Sequence, residues 1–158
     1  MSVRGALLPG LALLVACPAM AQESGDAEFT VFNNAWTDPA ECNPGNAMAL
    51  SLDEARRRHR ELDGRCVAVQ GWWRDRAMFA DAHSARARDA PFSDTARDVR
   101  IGLYGDWGKL GMPTRSPRRR TMVGKLADCD RWSSFSMVMG YCHYTGGPVI
   151  ILSMIARR

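Results

Sequence analysis

The side chains best suited to binding chemistry are aromatic and basic residues in the second half of the chain. Aromatic rings stack on sugars or nucleobases, and arginine and lysine pair with anionic groups. Trp107 is the most suggestive of them, because it lies in a glycine-rich loop; we favour the interpretation that it folds back over a small core, and ligand stacking is the alternative. The residues predicted to contact a ligand are Trp72, Arg100, Tyr104, Trp107, Lys109, Arg118, Arg119 and Arg120.

The densest basic cluster is Arg118-Arg119-Arg120, which follows Pro117, with Arg115 just before it. Such a cluster can meet phosphate, lipid headgroups or an acidic glycan. We favour a solvated loop and strand start, with an anion site as the alternative, because arginine far outnumbers lysine in this chain. The formal net charge of the whole chain, +4, is mild and does not by itself argue for nucleic acid.

Catalytic chemistry is not indicated by any motif. No serine or cysteine nucleophile stands in a recognisable setting, and the three histidines are scattered. Residues 105–109, Gly-Asp-Trp-Gly-Lys, fail the phosphate-loop pattern, because the glycine five residues before Gly108 is missing and Leu110 follows the lysine. We therefore predict no catalytic residue, no metal ligand and no cofactor, and we keep an enzyme of unrecognised type as an alternative.

Residues 1–21 have the pattern of a signal peptide. Arg4 supplies the positive start, residues 6–16 an apolar run, and Ala19-Met20-Ala21 a cleavage signal. An alternative is that residues 14–17, Leu-Val-Ala-Cys, are a lipobox and that Cys17 is lipidated. The protein is therefore expected to be periplasmic or secreted, or else lipid-anchored to the membrane through Cys17. The apolar run is too short to span a bilayer, and no transmembrane helix is predicted in the mature chain.

Because the protein is expected to be exported, the remaining cysteines are expected to form disulfides. Without Cys17 the chain has Cys42, Cys66, Cys129 and Cys142, an even number in an oxidising compartment. The four residues allow three pairings, and we favour Cys129 with Cys142 and Cys42 with Cys66. A metal or redox site is the weaker alternative, because the chain contains no CxxC motif.

The mature chain divides into an N-terminal arm, residues 22–49, and one domain, residues 50–158. The arm is polar apart from Phe29, Val31, Phe32 and Trp36, which are expected to dock on the domain; binding a partner is the alternative. Ser51 and Glu54 form a capping box that predicts a helix over residues 51–62.

The domain is predicted to be built around residues 62–73, LDGRCVAVQGWW. Asp63-Gly64 supplies a turn, and a strand starts near Arg65. Alternation sends Val67, Val69, Gly71 and Trp73 to one face, and the central glycine indicates a bulge or bend. Only one of Trp72 and Trp73 can face the core. Further strands are predicted over residues 77–82, 99–104, 118–128, 133–144 and 149–155, with residues 99–104 half-buried and loops over residues 81–98 and 105–117.

These elements define a mainly β fold, a small barrel of five or six strands with one N-terminal helix. Over residues 62–158 the chain resembles an OB-fold. The resemblance rests on LDGRCVAVQGWW, VRIGLYG, RRRTMVGKLADC and VIILSMI. The closing GYCHYTGGPVI is similar to segments of uncharacterised exported bacterial proteins.

The OB-fold resemblance implies a binding face on the middle strands, as in proteins that bind oligosaccharides or oligonucleotides. The function we expect is an exported binding or assembly module of the bacterial envelope, with an oligosaccharide- or oligonucleotide-binding protein as the first alternative. Its partner would be an envelope protein or an anionic polymer. The sequence leaves the ligand and the oligomeric state open.

Overall fold

The computed structural model describes residues 36–87, 99–133 and 141–156, which form one mixed sheet flanked by short helices. The strands are β1 Met48–Ser51, β2 Cys66–Arg74, β3 Ala77–Phe79, β4 Arg100–Tyr104, β5 Arg118–Asp128 and β6 Pro148–Ala156. The helices are α1 Leu52–Arg57, α2 Ala82–Arg86, α3 Trp107–Leu110, α4 Cys129–Ser133 and α5 Tyr141–Thr145. The prediction of a mainly β chain is confirmed, and the prediction of a single N-terminal helix is wrong.

The strands lie in the order β1-β2-β3-β4-β6-β5, and β5 also pairs with β2. The pairings therefore form a cycle, in which β2 pairs with β3, β3 with β4, β4 with β6, β6 with β5, and β5 with β2. The β4–β6 and β1–β2 pairs are parallel, and the others are antiparallel. The sixth strand, β1, lies beside the first half of β2, from Met48 opposite Val67 to Ser51 opposite Gln70.

The predicted turn and the burial alternation of β2 are confirmed, but the β2–β5 pairing has no bulge at Gly71. Gly64 takes a φ of +74°, which suits glycine, and β2 follows it. Burial alternates along the strand, with Val67, Val69, Gly71 and Trp73 buried and their neighbours half-buried. The register of β2 on β5 is regular through Gly71, whereas a register shift lies between Val123 and Gly124. Glycine is needed at position 71 because a Cβ atom there would lie 2.8 Å from the Phe79 carbonyl oxygen.

Each face of the sheet carries its own hydrophobic core cluster. The larger cluster holds Val69 and Trp73 of β2 and is closed by residues of α1, with Trp107 and Leu110 of α3 packed against it. The smaller cluster, on the opposite face, holds Phe79 of β3 and is covered by residues of α2, α4 and α5. Both faces of the sheet are therefore covered over much of their area.

This double coverage corrects the prediction of a half-buried strand over residues 99–104. All five residues of β4 are buried, because the face that carries Arg100, Gly102 and Tyr104 lies under Tyr141 of α5. A Cβ atom at Gly102 would collide with the Tyr141 ring. The alternation in the sequence gives no sign of this covering segment, which is about 40 residues away in the chain.

Helices replace two stretches that were predicted otherwise. The strand predicted over residues 133–144 is helical at its described ends, in α4 and α5. The predicted loops contain α2 and α3, which begin at the N-caps Asp81 and Asp106. The capping box of Ser51 and Glu54 is confirmed, but α1 ends at Arg57 instead of residue 62.

Disulfides join Cys42 to Cys66 and Cys129 to Cys142, the two pairs that the sequence favoured. The first attaches residue 42 to β2, and the second joins α4 to α5. The described part of the arm also reaches β6, where Thr37 Oγ1 donates to the carbonyl of Ile151 at 2.6 Å.

Several predictions fall outside the described residues. They concern the signal peptide, the lipidation candidate Cys17 and the apolar arm residues Phe29, Val31 and Phe32. Within the described ranges, no helix is long and apolar enough to cross a membrane.

Candidate anion-binding surface

The predicted ligand residues separate into two places. Arg100 and Tyr104 are buried under α5, on the face of the smaller cluster. Trp107 and Arg118 belong to the opposite face, near the end of β2. The single face predicted from the sequence is therefore not formed.

Arg100 and Tyr104 bind other parts of the chain. Arg100 is fully buried; its Nε donates to the Tyr141 hydroxyl at 2.9 Å, and its guanidinium carbon lies 5.4 Å from the centroid of the Tyr141 ring. The Tyr104 hydroxyl accepts from the backbone N–H of Cys142 at 2.9 Å, and burial raises the pKa of Tyr104. These contacts hold α5 against the sheet, so a structural role accounts for both residues.

Lys109 is also engaged within the chain. Its Nζ lies 3.2 Å from Asp106 Oδ2 and 5.2 Å from the centroid of the Trp36 ring. The hydrogen bond from Lys109 is the main reason that the pKa of Asp106 lies below its ordinary value. The charge of Lys109 is therefore largely compensated.

Trp73 and Trp107 close one end of the larger cluster. Their rings are stacked, with centroids 6.4 Å apart and planes 9° from parallel. Trp73 is buried and donates from Nε1 to the carbonyl of Asp75 at 2.7 Å, whereas Trp107 is half-buried. Trp107 thus folds over the core, as the favoured interpretation of the sequence expected, while part of it stays at the surface.

A shallow cavity of about 330 Å³ lies beside Trp107 and the turn between β2 and β3. The backbone N–H of Asp75 donates to the carbonyl of Thr114 at 2.8 Å, which ties this turn to the loop between α3 and β5. The cavity is lined by Asp75, Arg76, Trp107, Met112, Pro113 and Arg115.

Arg118 adjoins this region, because it stands directly opposite Trp73 in the β2–β5 pairing and opposed residues project from the same face. We call Arg76, Trp107, Met112, Arg115 and Arg118 the basic end.

The basic end is positively charged. Its three arginines are exposed, and no ion pair within the described part of the chain involves them. The carboxylate of Asp75 already faces Arg74, at 3.5 Å from its Nε. Exposed guanidinium groups beside apolar surface can bind an anionic group and shelter an apolar neighbour of that group.

Arg119 and Arg120 extend the positive charge along β5. Arg119 stands opposite Trp72, which is half-buried, and donates to Gln70 Oε1 at 2.9 Å. Arg120 donates to the carbonyl of Arg119 at 2.8 Å. Because side chains alternate along a strand, Arg119 projects to the other face from Arg118 and Arg120. The arginine cluster is thus divided between both faces.

A larger cavity, of about 480 Å³, lies beside the Cys42–Cys66 disulfide and is a poorer candidate site. Two of its charged residues, Glu41 and Lys125, already pair with each other at 2.7 Å. Arg65 is the remaining charged residue of its lining.

Sequence reasoning missed Arg76 and Met112 as members of a surface. The sequence shows the turn Arg74-Asp75-Arg76, and it shows that Gly111 and Pro113 flank Met112. It does not show that these two segments are close, because their proximity depends on the contact between Asp75 and Thr114. It also missed the cluster of His59, Arg60 and Asp128, because 68 residues separate Arg60 from its partner. Across the described ranges, no group of three or more histidine, cysteine or acidic residues could hold a metal ion.

Comparisons of the chain with protein-family models, with curated proteins and with solved structures found no match. The function is therefore inferred from geometry and charge. In these terms the basic end, and not the buried Arg100 and Tyr104, is the strongest candidate site.

Proposed function

We propose that this chain is an exported binding or assembly module of the bacterial envelope, built on an OB-like β-barrel, that recognises an anionic partner at the basic end. The observation that carries the proposal is the group of three exposed arginines around Trp107 and Met112 that have no ion pair among the described residues.

The strand pairings support the OB-like barrel. An OB-fold is a small, partly open Greek-key barrel of five strands. Five strands here, β2 to β6, pair in a cycle, with β4 and β6 parallel and the remaining pairs antiparallel. On this proposal, α3 closes one end of the barrel through Trp107 and Leu110, and β1 is an added strand.

The same comparison argues against the ligand face that the resemblance implied. OB-folds bind polymers on the face of their second and third strands. The corresponding strands here would be β3 and β4, and their face towards the smaller cluster is covered by α2 and α5. Binding there would require α5 to leave Tyr104 and Arg100, whose hydrogen bonds hold it in place.

Export is supported by the predicted signal peptide and by the two disulfides. Disulfides persist in the periplasm and outside the cell and are rare in the cytosol. They are compatible with a periplasmic, secreted or lipid-anchored protein.

An oligosaccharide- or oligonucleotide-binding protein is the second candidate, and the observation that favours it is Trp72 beside Arg119. A half-buried ring opposite an exposed arginine could stack on one unit of an anionic polymer. No group of the described residues favours the third possibility, an enzyme of unrecognised type.

The test is a titration of the protein with anionic and neutral probes at low salt, about 0.01 M, where charge interactions reach about 30 Å. The anionic probes are polyphosphate and phosphatidylglycerol vesicles, and the neutral probe is an uncharged oligosaccharide. We expect binding to at least one anionic probe that weakens as salt rises. Equal binding to the neutral probe, or no binding to any probe, would overturn the proposal.

A matched pair of variants locates the binding surface. Arg76→Gln, Arg115→Gln and Arg118→Gln together remove the three exposed charges of the basic end and leave Arg119 in place. The control replaces Arg57, Arg65 and Arg86 by glutamine and removes the same charge from exposed positions elsewhere. Only the first variant should lose binding, because screening limits the reach of distant charges.

A further inference from the structure

Met112 is the most exposed large hydrophobic side chain in the described part of the protein. It is 80% exposed, whereas Met48, the other such residue, is 38% exposed. Keeping a methionine side chain in water forgoes the gain from burying its apolar surface. A partner that covers Met112 would recover that gain.

The loop that carries Met112 is held by its ends. Gly111 closes α3 with a φ of +89° and a bond from its N–H to the Trp107 carbonyl at 3.0 Å. Beyond Pro113, the carbonyl of Thr114 accepts from the Asp75 N–H. Met112 therefore stands at the tip of a loop whose two sides are anchored to the domain.

Cationic side chains flank this apolar tip. Arg76 and Arg115 line the same cavity as Met112, and Arg118 stands opposite Trp73 at the same end of the sheet. Residues 107–120 contain no acidic side chain. Proteins lie on an anionic membrane surface by inserting apolar side chains at the acyl boundary and placing basic side chains at headgroup level. Met112 and the neighbouring arginines have this arrangement.

A polymer would use this surface poorly. Stacking needs exposed ring faces, and the nearby rings of Trp73 and Trp107 are stacked on each other over the core. A protruding methionine adds nothing to phosphate recognition. A bilayer, in contrast, needs no complementary groove and accepts both the charge and the apolar tip.

We infer that the basic end docks on anionic phospholipid headgroups, with Met112 inserting between them. This inference rests on the proposed function and names the partner class of the same surface. Each arginine near an anionic membrane should strengthen binding about fivefold. The triple glutamine variant should therefore bind anionic vesicles roughly a hundredfold more weakly than the parent.

The experiment measures binding of the full exported chain to vesicles of phosphatidylglycerol and phosphatidylcholine, with vesicles of phosphatidylcholine alone for comparison. All proteins carry Cys17→Ser, so that no acyl chain contributes. Met112→Ser should weaken binding to the anionic vesicles about tenfold, because an apolar side chain no longer inserts. Met48→Ser is the matched control and should bind like the parent. Circular dichroism verifies that each variant is folded.

Polyphosphate and single-stranded DNA provide the second arm. Binding to these polymers through the arginines, with no binding to vesicles and no effect of Met112→Ser, would overturn the membrane inference and leave the proposed function standing. Binding to neither vesicles nor polymers at low salt would overturn both. Vesicle binding that falls with Met112→Ser and with the arginine variant is the expected result.

Discussion

Arg100 is a buried cation whose surroundings determine how much it costs the folded state. A buried charge is tolerated when it is hydrogen-bonded, and removing its partner is expensive because the charge stays behind. Nε of Arg100 donates to the Tyr141 hydroxyl, and the guanidinium lies near the Tyr141 ring. Tyr141 therefore stabilises both the charge and the position of α5.

We expect Tyr141→Phe to lower the free energy of unfolding by about 1.5–3 kcal/mol, the usual contribution of a hydrogen bond to a charged group. Tyr104→Phe is the comparison, because its hydroxyl accepts from the neutral backbone N–H of Cys142 and its loss should cost only about 0.5–1.5 kcal/mol. Urea denaturation measures both. A Tyr141→Phe variant no less stable than Tyr104→Phe would contradict this role.

Asp128 is a second buried charged residue, and its carboxylate is held by several polar contacts. Its Oδ2 accepts from Arg60 Nε at 2.9 Å and lies 3.3 Å from His59 Nε2, and its Oδ1 accepts from the Asp130 N–H at 3.0 Å. Burial raises the pKa of Asp128. The hydrogen bonds from Arg60 and Asp130, with the charge of His59, lower this pKa by more than burial raises it, so the pKa lies below its ordinary value.

Stability should consequently fall with acid in a way that depends on Asp128. A carboxyl whose pKa is lower in the folded state contributes stability that is complete above its unfolded pKa, about 4, and is lost as pH falls through the folded pKa. Asp128→Asn should remove this contribution and flatten the acid limb of a denaturation profile. Asp53→Asn, which breaks an exposed ion pair with Arg56, should leave the limb unchanged. An unchanged acid limb in Asp128→Asn would contradict the assignment.

At the scale of elements, signals within a few residues of each other predicted the structure well. The capping box needs only Ser51 and Glu54, and β2 needs only a turn and its alternation. The parallel strand β1 has no such local signal, because its pairing is supplied by β2. The helical coverage by α5 likewise depends on Tyr141 reaching the distant β4.

The Cys129–Cys142 disulfide should hold α5 on the sheet. Replacing both cysteines with serine should cost about 2–5 kcal/mol, since the unfolded chain becomes less constrained. It should also speed amide hydrogen exchange in α5, which loses its link to α4. The Cys42→Ser, Cys66→Ser variant should lose similar stability without faster exchange in α5. Equal exchange of α5 in the two variants would argue against this role.

For the molecule as a whole, burial determines which predicted site residues a ligand can reach. The sequence indicates aromatic and basic residues but not that Arg100 and Tyr104 lie beneath another segment. It also cannot show which arginines lack ion pairs, because partners such as Asp63 for Arg131 lie 68 residues away. The mainly β composition could be predicted from the sequence pattern, whereas the basic end required the folded chain.

Export can be tested on the intact protein. We expect material recovered from a bacterial periplasm without reductant to be lighter by two hydrogens for each of the two disulfides. Its mass should correspond to a chain that begins at Gln22, or to one that begins at an acylated Cys17 if the lipobox is used. Free thiols at Cys66 or Cys142 would contradict an exported, disulfide-stabilised protein.

The central claim is that an anionic partner binds at the basic end and not on the covered face of β3 and β4. Hydrogen–deuterium exchange with and without phosphatidylglycerol vesicles or polyphosphate tests it most directly. We predict slower exchange over residues 107–120 and at the turn Asp75-Arg76, with β4 and α5 unchanged. Slower exchange confined to β3, β4 and α5, with residues 107–120 unaffected, would contradict the claim.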